Sequence, residues 1–416
     1  MSHKADTKPL PNAKVTSNNS TGKSVSVKSI IDLPTEIIDQ IVALAVNEGQ
    51  GPTLRLTCKY LNEISTRHWA RVAFGDWTTD FSAQSLNTLE QIANHKQLAP
   101  HVKRLYIGGN ITDHDLGKHI AWEQDAQGHV KFQQPAVQRI KRILQKFENV
   151  RDIQINQRGA VFTGAGLPGA FWLGEALGIL FRTLADLKRE VDVLGLARRA
   201  YGTRPWQDLP GLTATVLEEV GARGLWSHLR VFSLRSSEPP WTMPAKVCEH
   251  APRLRELELS FNGGPSGQLL MNRLFGVRIP FQLEVLNLRG VPAVHDDQLM
   301  AFLAPHARTL RDLNLTDMRS EENRSWVRIL QRIAREFSAL QAFKFASLAE
   351  GLPPDSRVVR FPGLAANPVV DAVRGLQFDL VHSCRLHGPG GDSVEWSGEG
   401  ADLALQKLVD FAVLDF

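Results

Sequence analysis

Residues 31–74 read IDLPTEIIDQIVALAVNEGQGPTLRLTCKYLNEISTRHWARVAF. Leu33-Pro34 opens an apolar helix that runs to about Val46. A turn follows over 47–52, and a second helix is expected from about Thr53 to Ser65. Proline suits the first helical position, because its missing N–H would have no intrahelical partner there. Glu36 and Asp39 place negative charge near the positive end of that helix. The helix is apolar on two sides, with Leu33, Ile37, Ile41 and Leu44 on one and Ile38, Val42, Ala45 and Val46 on the other. A surface helix normally needs one such stripe. Two imply either burial on all sides, or one face for the chain's own fold and one for a partner. In the second helix Leu54, Cys58 and Leu61 align, with Leu56 and Tyr60 beside them. A pair of helices this small buries too little to stand alone.

The order Leu33-Pro34-Thr35-Glu36, then Ile41, then Leu54-Arg55-Leu56-Thr57-Cys58-Lys59-Tyr60-Leu61-Asn62 resembles an F-box. The family's usual Asp-Leu turn between the helices is replaced by Asn-Glu-Gly-Gln-Gly-Pro. The resemblance implies a substrate-recruiting subunit that binds a Skp-type adaptor and, through it, cullin in a ubiquitin ligase. By position it points to Leu33, Pro34, Ile37, Ile41, Leu54, Cys58 and Leu61 as adaptor contacts. Some of these must instead form the hairpin's own core, and the sequence does not separate them. Trp69 and the residues to Phe74 resemble an extended exit from such a domain.

A second pattern recurs downstream: apolar, two residues, apolar, one residue, apolar. It appears at Val102/Leu105/Ile107, Val150/Ile153/Ile155, Leu229/Phe232/Leu234, Leu254/Leu257/Leu259, Leu283/Leu286/Leu288, Leu310/Leu313/Leu315 and Leu340/Phe343/Phe345. The central residues of the last five copies are 25, 29, 27 and 30 positions apart. That spacing, with helical stretches at Asp297–Leu303 and Ser325–Phe337 between copies, resembles leucine-rich repeats. One strand and one helix cannot close a core, whereas stacked copies bury a continuous one. The asparagine that usually follows the strand is irregular: Asn262 fits, but Val291 and Met318 stand at the comparable place in later copies.

The expected fold class is α+β: a small all-helical F-box hairpin over 30–75, then an irregular leucine-rich-repeat-like α/β solenoid over 76–350. Residues 76–79 read as a polar break. Residues 108–135 and 156–226 interrupt the rhythm; the second holds a helical run over about 171–199 and either a divergent copy around 194–201 or an insertion. Residues 351–416 read as a terminal cap, with a helix over 401–411 amphipathic through Leu403, Leu408 and Phe411. Residues 1–29, rich in Lys, Ser, Thr and Asn, read as a disordered tail.

Composition bounds the functional classes. Lys and Arg total 48 and Asp and Glu 44, so the +4 charge is a small difference between large numbers. No basic patch interleaved with aromatics appears, so nucleic acid is not an expected partner. Three distant cysteines argue against a disulfide framework and for a reducing compartment, cytoplasm or nucleus. No apolar run is long enough for a membrane span.

Candidate chemistry is sparse. Gly164-Ala165-Gly166-Leu167-Pro168-Gly169 matches a dinucleotide-loop spacing, but its preceding strand is not adjacent and a glycine-rich turn is the expected role. Asp113, His114, Asp115 and His119 lack a zinc-site spacing, and His295-Asp296-Asp297 reads as a helix N-terminus. Cys58 reads as a packed thiol. No nucleophile, base and orienting residue occur together, so a non-catalytic protein without cofactor is expected. The target surface is expected on the strand residues between frame positions: Ser233, Arg235, Glu256, Glu258, Asn287, Arg289, Asp312, Asn314 and Lys344. Two other readings are a repeat scaffold without a ligase role and, more remotely, a nucleotide-binding enzyme at the Gly164 loop.

Overall fold

The structure is a computed structural model. It describes residues 30–109, 116–126, 128–158, 171, 173–199, 212–236, 242–261, 271–276, 279–291, 294–320, 325–351, 357–360, 379–382, 392–397 and 401–415. These fall into two compact units, one ending at Trp69 and one beginning at Ala70.

The first unit holds helix α1 (Thr35–Asn47), helix α2 (Gly51–Thr57) and the start of helix α3 (Lys59–Ala73). Pro34 is the residue before α1 rather than its first, with φ −52° and ψ 142°. The expected single second helix is two: Cys58 between them is extended, φ −157° and ψ 163°, which breaks the helical ladder. The expected extended exit is also corrected, because α3 stays helical to Ala73. Ile38, Val42, Val46 and Leu61 form a small core, with Leu54, Ile64 and Trp69 packed on it. The Arg55 guanidinium lies 3.9 Å from the Trp69 ring centre, a cation–π contact, and its Nε donates to Asn62 Oδ1 at 3.2 Å. Trp69 leaves no room at the start of α2: a Cβ on Gly51 would meet its ring at 2.7 Å.

The second unit is mixed α/β around a large, mostly parallel sheet. In chain order it contains β1 (Asp76–Thr79), α4 (Ala83–Asn94), β2 (Arg104–Gly109), α5 (Pro135–Lys146), β3 (Asp152–Arg158), α6 (Leu173–Asp186), β4 (Val193–Arg199), α7 (Ala214–Ala222), β5 (Val231–Ser236), α8 (Met243–Glu249) and β6 (Glu256–Phe261). It continues with β7 (Val285–Arg289), α9 (Asp296–Leu303), β8 (Asp312–Thr316), β9 (Arg319–Ser320), α10 (Ser325–Glu336), β10 (Ala342–Ala346), β11 (Ala349–Glu350), β12 (Arg357–Arg360), β13 (Asp379–His382), β14 (Asp392–Ser397), α11 (Ala401–Phe411) and β15 (Val413–Asp415). The main sheet has the order β1-β2-β3-β4-β5-β6-β7-β8-β10-β14-β13, with only the last two strands antiparallel to their neighbours. A smaller sheet runs β15-β12-β11-β9.

Two corrections to the expected elements follow. Residues 76–79 are a strand, paired in parallel with β2. The helical run over 171–199 is a helix followed by a strand, and β4 falls in line between β3 and β5. Asn262 lies outside the described residues.

The frame positions form two continuous rungs across the sheet. Trp77, Leu105, Ile153, Leu194, Phe232, Leu257, Leu286, Leu313, Phe343 and Trp396 are register partners in turn. Ile107, Ile155, Leu196, Leu234, Leu259, Leu288, Leu315, Phe345 and Val394 make the second rung. From Leu105 and Ile107 onward these residues are buried in one continuous core with the apolar faces of the helices. Trp326, Ile329, Leu330 and Ile333, the expected inner face of α10, are fully buried. In α11 the inner face is Ala401, Ala404, Leu405 and Leu408, whereas Leu403 is exposed, which corrects its expected place.

Backbone geometry repeats with the side chains. The carbonyls of Gly75, Lys103, Arg151, Asp192, Arg230, Arg255, Glu284 and Arg311 each accept two successive N–H groups from the start of the next strand, at 2.7–3.3 Å. At the other end of β7, β8 and β10 the next residue has positive φ: Gly290 (69°), Asp317 (56°) and Ser347 (52°). Each is followed by a buried residue, Val291, Met318 or Leu348. These apolar side chains fill the place where the resemblance led to an asparagine.

Leu286→Ala is expected to lower unfolding stability by about 2–5 kcal/mol, because it opens a cavity in a rung. Asn287→Ala, one residue along on the opposite face, is expected to change it by about 0.5 kcal/mol or less. Urea unfolding followed by circular dichroism checks both.

Candidate functional site

Two surfaces collect the candidate residues, one in each unit. In the first unit the two stripes of α1 part company. Ile38, Val42 and Val46 are buried, while Leu33, Ile37, Ile41 and Leu44 are 39, 42, 37 and 67 % exposed. Pro34 is exposed beside them. Leu56, 87 % exposed, and Tyr60, 37 %, add to the unit's exposed apolar surface. Of the other candidate contacts, Leu61 is buried in the unit's own core and Leu54 is half-buried against it. Cys58 is exposed at the break between α2 and α3, which corrects its reading as a packed thiol. Asp39 and His68, 2.7 Å apart, tie α1 to α3.

In the second unit, side chains alternate across each strand, so the residues between frame positions lie on the sheet face away from the core. Register places all nine expected target residues there. One row runs Asp76, Arg104, Asp152, Val193, Val231, Glu256, Val285, Asp312 and Ala342. The next runs Thr78, Tyr106, Gln154, Gly195, Ser233, Glu258, Asn287, Asn314, Lys344 and Glu395. Arg235 and Arg289 belong to a third.

Most charges on this face are neutralised by neighbours. Arg104 lies between Asp76 and Asp152, and the hydrogen bond to Asp152 pushes its guanidinium pKa further up. Glu258 accepts from Ser233 Oγ at 2.8 Å and from Arg235 Nε at 2.7 Å. Arg289 Nε meets Asp317 at 3.0 Å, and Lys344 Nζ meets Glu395 at 2.5 Å. Between the charged ends, Val193, Ala197 and Val231 are half-buried, and the Gln154 side chain lies over Gly195, where a Cβ would meet its Oε1 at 2.0 Å.

Asp312 is half-buried, and burial, with a smaller contribution from Glu395, raises its carboxyl pKa above the usual range.

Sequence reasoning missed the first half of this face. Arg104, Tyr106, Asp152 and Gln154 alternate with frame residues that were recognised, so the signal was present at Leu105/Ile107 and Ile153/Ile155. Glu395 had no such signal, because its strand is antiparallel and lacks the frame. A third group, Glu218, Glu249 and His250, brings potential metal ligands together. Lys246 Nζ sits 2.8 Å from Glu218 and 2.7 Å from Glu249 and supplies the positive charge there. Its hydrogen bond lowers the Glu218 pKa and raises that of Lys246. His295 precedes α9 and Asp296 and Asp297 open it, as expected of a helix N-terminus. Asp113, His114, Asp115 and the Gly164–Gly169 loop lie outside the described residues. Among the described residues, no helix is long and apolar enough to cross a membrane.

Asp312 gives a pH prediction. A carboxyl with a raised folded-state pKa binds protons more tightly in the native state, so its contribution to stability falls as pH rises through the interval between the unfolded and folded values. Asp312→Asn is therefore expected to raise the melting temperature at pH 7 and to lose that advantage below pH 3, measured by thermal unfolding across pH.

Compared with models of known protein families and with characterised proteins, the chain matches none.

Proposed function

We propose that this protein is the substrate-recruiting subunit of a Skp–cullin–F-box ubiquitin ligase. In this reading residues 30–75 are an F-box that binds the Skp-type adaptor. The second unit is an irregular leucine-rich-repeat solenoid whose outer strand face holds the target protein. The chain supplies proximity and orientation rather than covalent chemistry.

The observation that carries the reading is the division of α1 into a buried and an exposed apolar stripe. Ile37, Ile41 and Leu44 are bulky, contiguous along the helix and left in water, with Leu33 exposed just before its start. A row of this kind on a short helix is the signature of a partner-binding face. It coincides with the Leu33-Pro34-Thr35-Glu36 start that resembles an F-box. Supporting the second half of the reading, the strand frame recurs in eight parallel strands with its spacing near 25–30 residues in the later copies.

Burying one Leu or Ile side chain is worth about 1.5–3 kcal/mol. Replacing two of them by aspartate is therefore expected to weaken adaptor binding by roughly two orders of magnitude or more. The test compares the full chain with Ile37→Asp/Ile41→Asp in co-purification with a Skp-type adaptor and cullin. The variant is expected to lose both partners and keep its circular-dichroism spectrum. Undiminished capture would sink the adaptor assignment. Capture of adaptor without cullin would favour a repeat scaffold outside the ligase.

A further inference from the structure

The strand face carries two carboxylates that its own neighbours leave uncompensated. Glu256 and Asp312 stand in one register row on β6 and β8, with Val285 of β7 between them. The cations in the outward register rows of β5 to β10 are engaged elsewhere: Arg235 by Glu258, Arg289 by Asp317 and Lys344 by Glu395. Within these outward rows the ion pairs leave Glu256 and Asp312 as two unpaired negative charges, on a chain whose net charge is +4. Asn287 and Asn314 lie directly above in the next row and offer amide hydrogen bonds; Asn314 already accepts from Thr316 at 2.6 Å.

Resting on the reading of this face as the target surface, we propose that it binds a basic helix of the partner protein, crossing strands β6 to β8. Two strand spacings separate Glu256 and Asp312, about 10 Å. Residues i and i+7 of a helix are about 10.5 Å apart on one side, so lysines or arginines at those places reach both carboxylates. The residues at i+3 and i+4 then fall over Val285 and give the apolar contact. An extended segment fits less well: three residues span about 10 Å, but side chains at i and i+3 point to opposite faces.

The test uses an alanine-based helical peptide with lysines at i and i+7 and leucines at i+3 and i+4, titrated against the full chain at low salt. Saturable binding is expected, weakening as salt rises. Glu256→Gln/Asp312→Asn, which preserves shape, is expected to weaken it at least tenfold, and Glu148→Gln on an exposed loop to leave it unchanged. Equal binding of a peptide with glutamates for the lysines would overturn the proposal. So would equal binding with the lysines moved to i and i+2, no saturable binding, or no effect of the double variant. Hydrogen exchange separates this outcome from failure of the underlying reading. Protection of β6–β8 by the glutamate peptide would keep the face and reject the basic partner. Protection by the lysine peptide confined to residues 33–61 would reject the face itself.

Discussion

The structure of the second unit depends on parallel register held strand by strand. One carbonyl at the start of each copy accepts two N–H groups from the next, from Gly75 through Arg311. A slip of one residue would turn every frame side chain to the wrong face, because the period along a strand is two. The ladder therefore does more than satisfy backbone polarity. It keeps Leu105 to Phe343 in one buried rung, and it keeps the intervening polar residues in rows on the opposite face. The core and the candidate surface are two consequences of one alignment.

The first unit obeys a different constraint. Its core has four fully buried residues, three of them from one stripe of α1. Leu54 and Leu61 of α2 and α3 pack on that stripe, while Leu56 and Tyr60 are themselves exposed, and no residue of these helices joins the core from the second stripe's side. Leu33, Ile37, Ile41 and Leu44 therefore stay in water. The sequence pattern showed both stripes but could not rank them, since each has the spacing of a helix face. In the folded unit the chain breaks at Cys58, and Leu61 beyond the break packs with Ile38, Val42 and Val46. Nothing local announces that break: Cys58 is neither glycine nor proline, and Thr57 and Lys59 are ordinary in a helix.

Legibility elsewhere followed the strength of the apolar frame. Seven copies with large aliphatic or aromatic residues were visible, and all seven are strands. The first strand was missed because Asp76-Trp77-Thr78-Thr79 offers one large side chain and two threonines. The copy at Leu194 was ambiguous because Gly195 replaces a side chain and a nearly fully buried helix precedes it. In α6 even Glu175 is buried, its carboxylate accepting from Val130 N–H at 3.1 Å and facing His129. A helix buried on nearly every side carries little of a polar face to read. The outward rows were legible wherever a frame was, and the expected target residues from Ser233 to Lys344 share one surface; Arg104 and Asp152 were as legible from the frames at Leu105 and Ile153 but were left out because the list followed only the regularly spaced later copies.

The last strands show how closure of the fold bears on the chemistry of the face. A parallel strand needs a long crossover, whereas an antiparallel one can seal the edge of β10. Beta-strand β14 does this, setting Trp396 and Val394 in the rungs beside Phe343 and Phe345. The alternation that puts those two inward puts Glu395 outward, next to Lys344. Lys344 stands on the neighbouring strand, one register row from Asp312. Glu395 occupies that lysine and itself adds to the repulsion felt by Asp312. The antiparallel strand that follows β10 in the sheet thus leaves the carboxylate of Asp312 unpaired, and the sign of that face is set by this added strand as much as by the parallel ones.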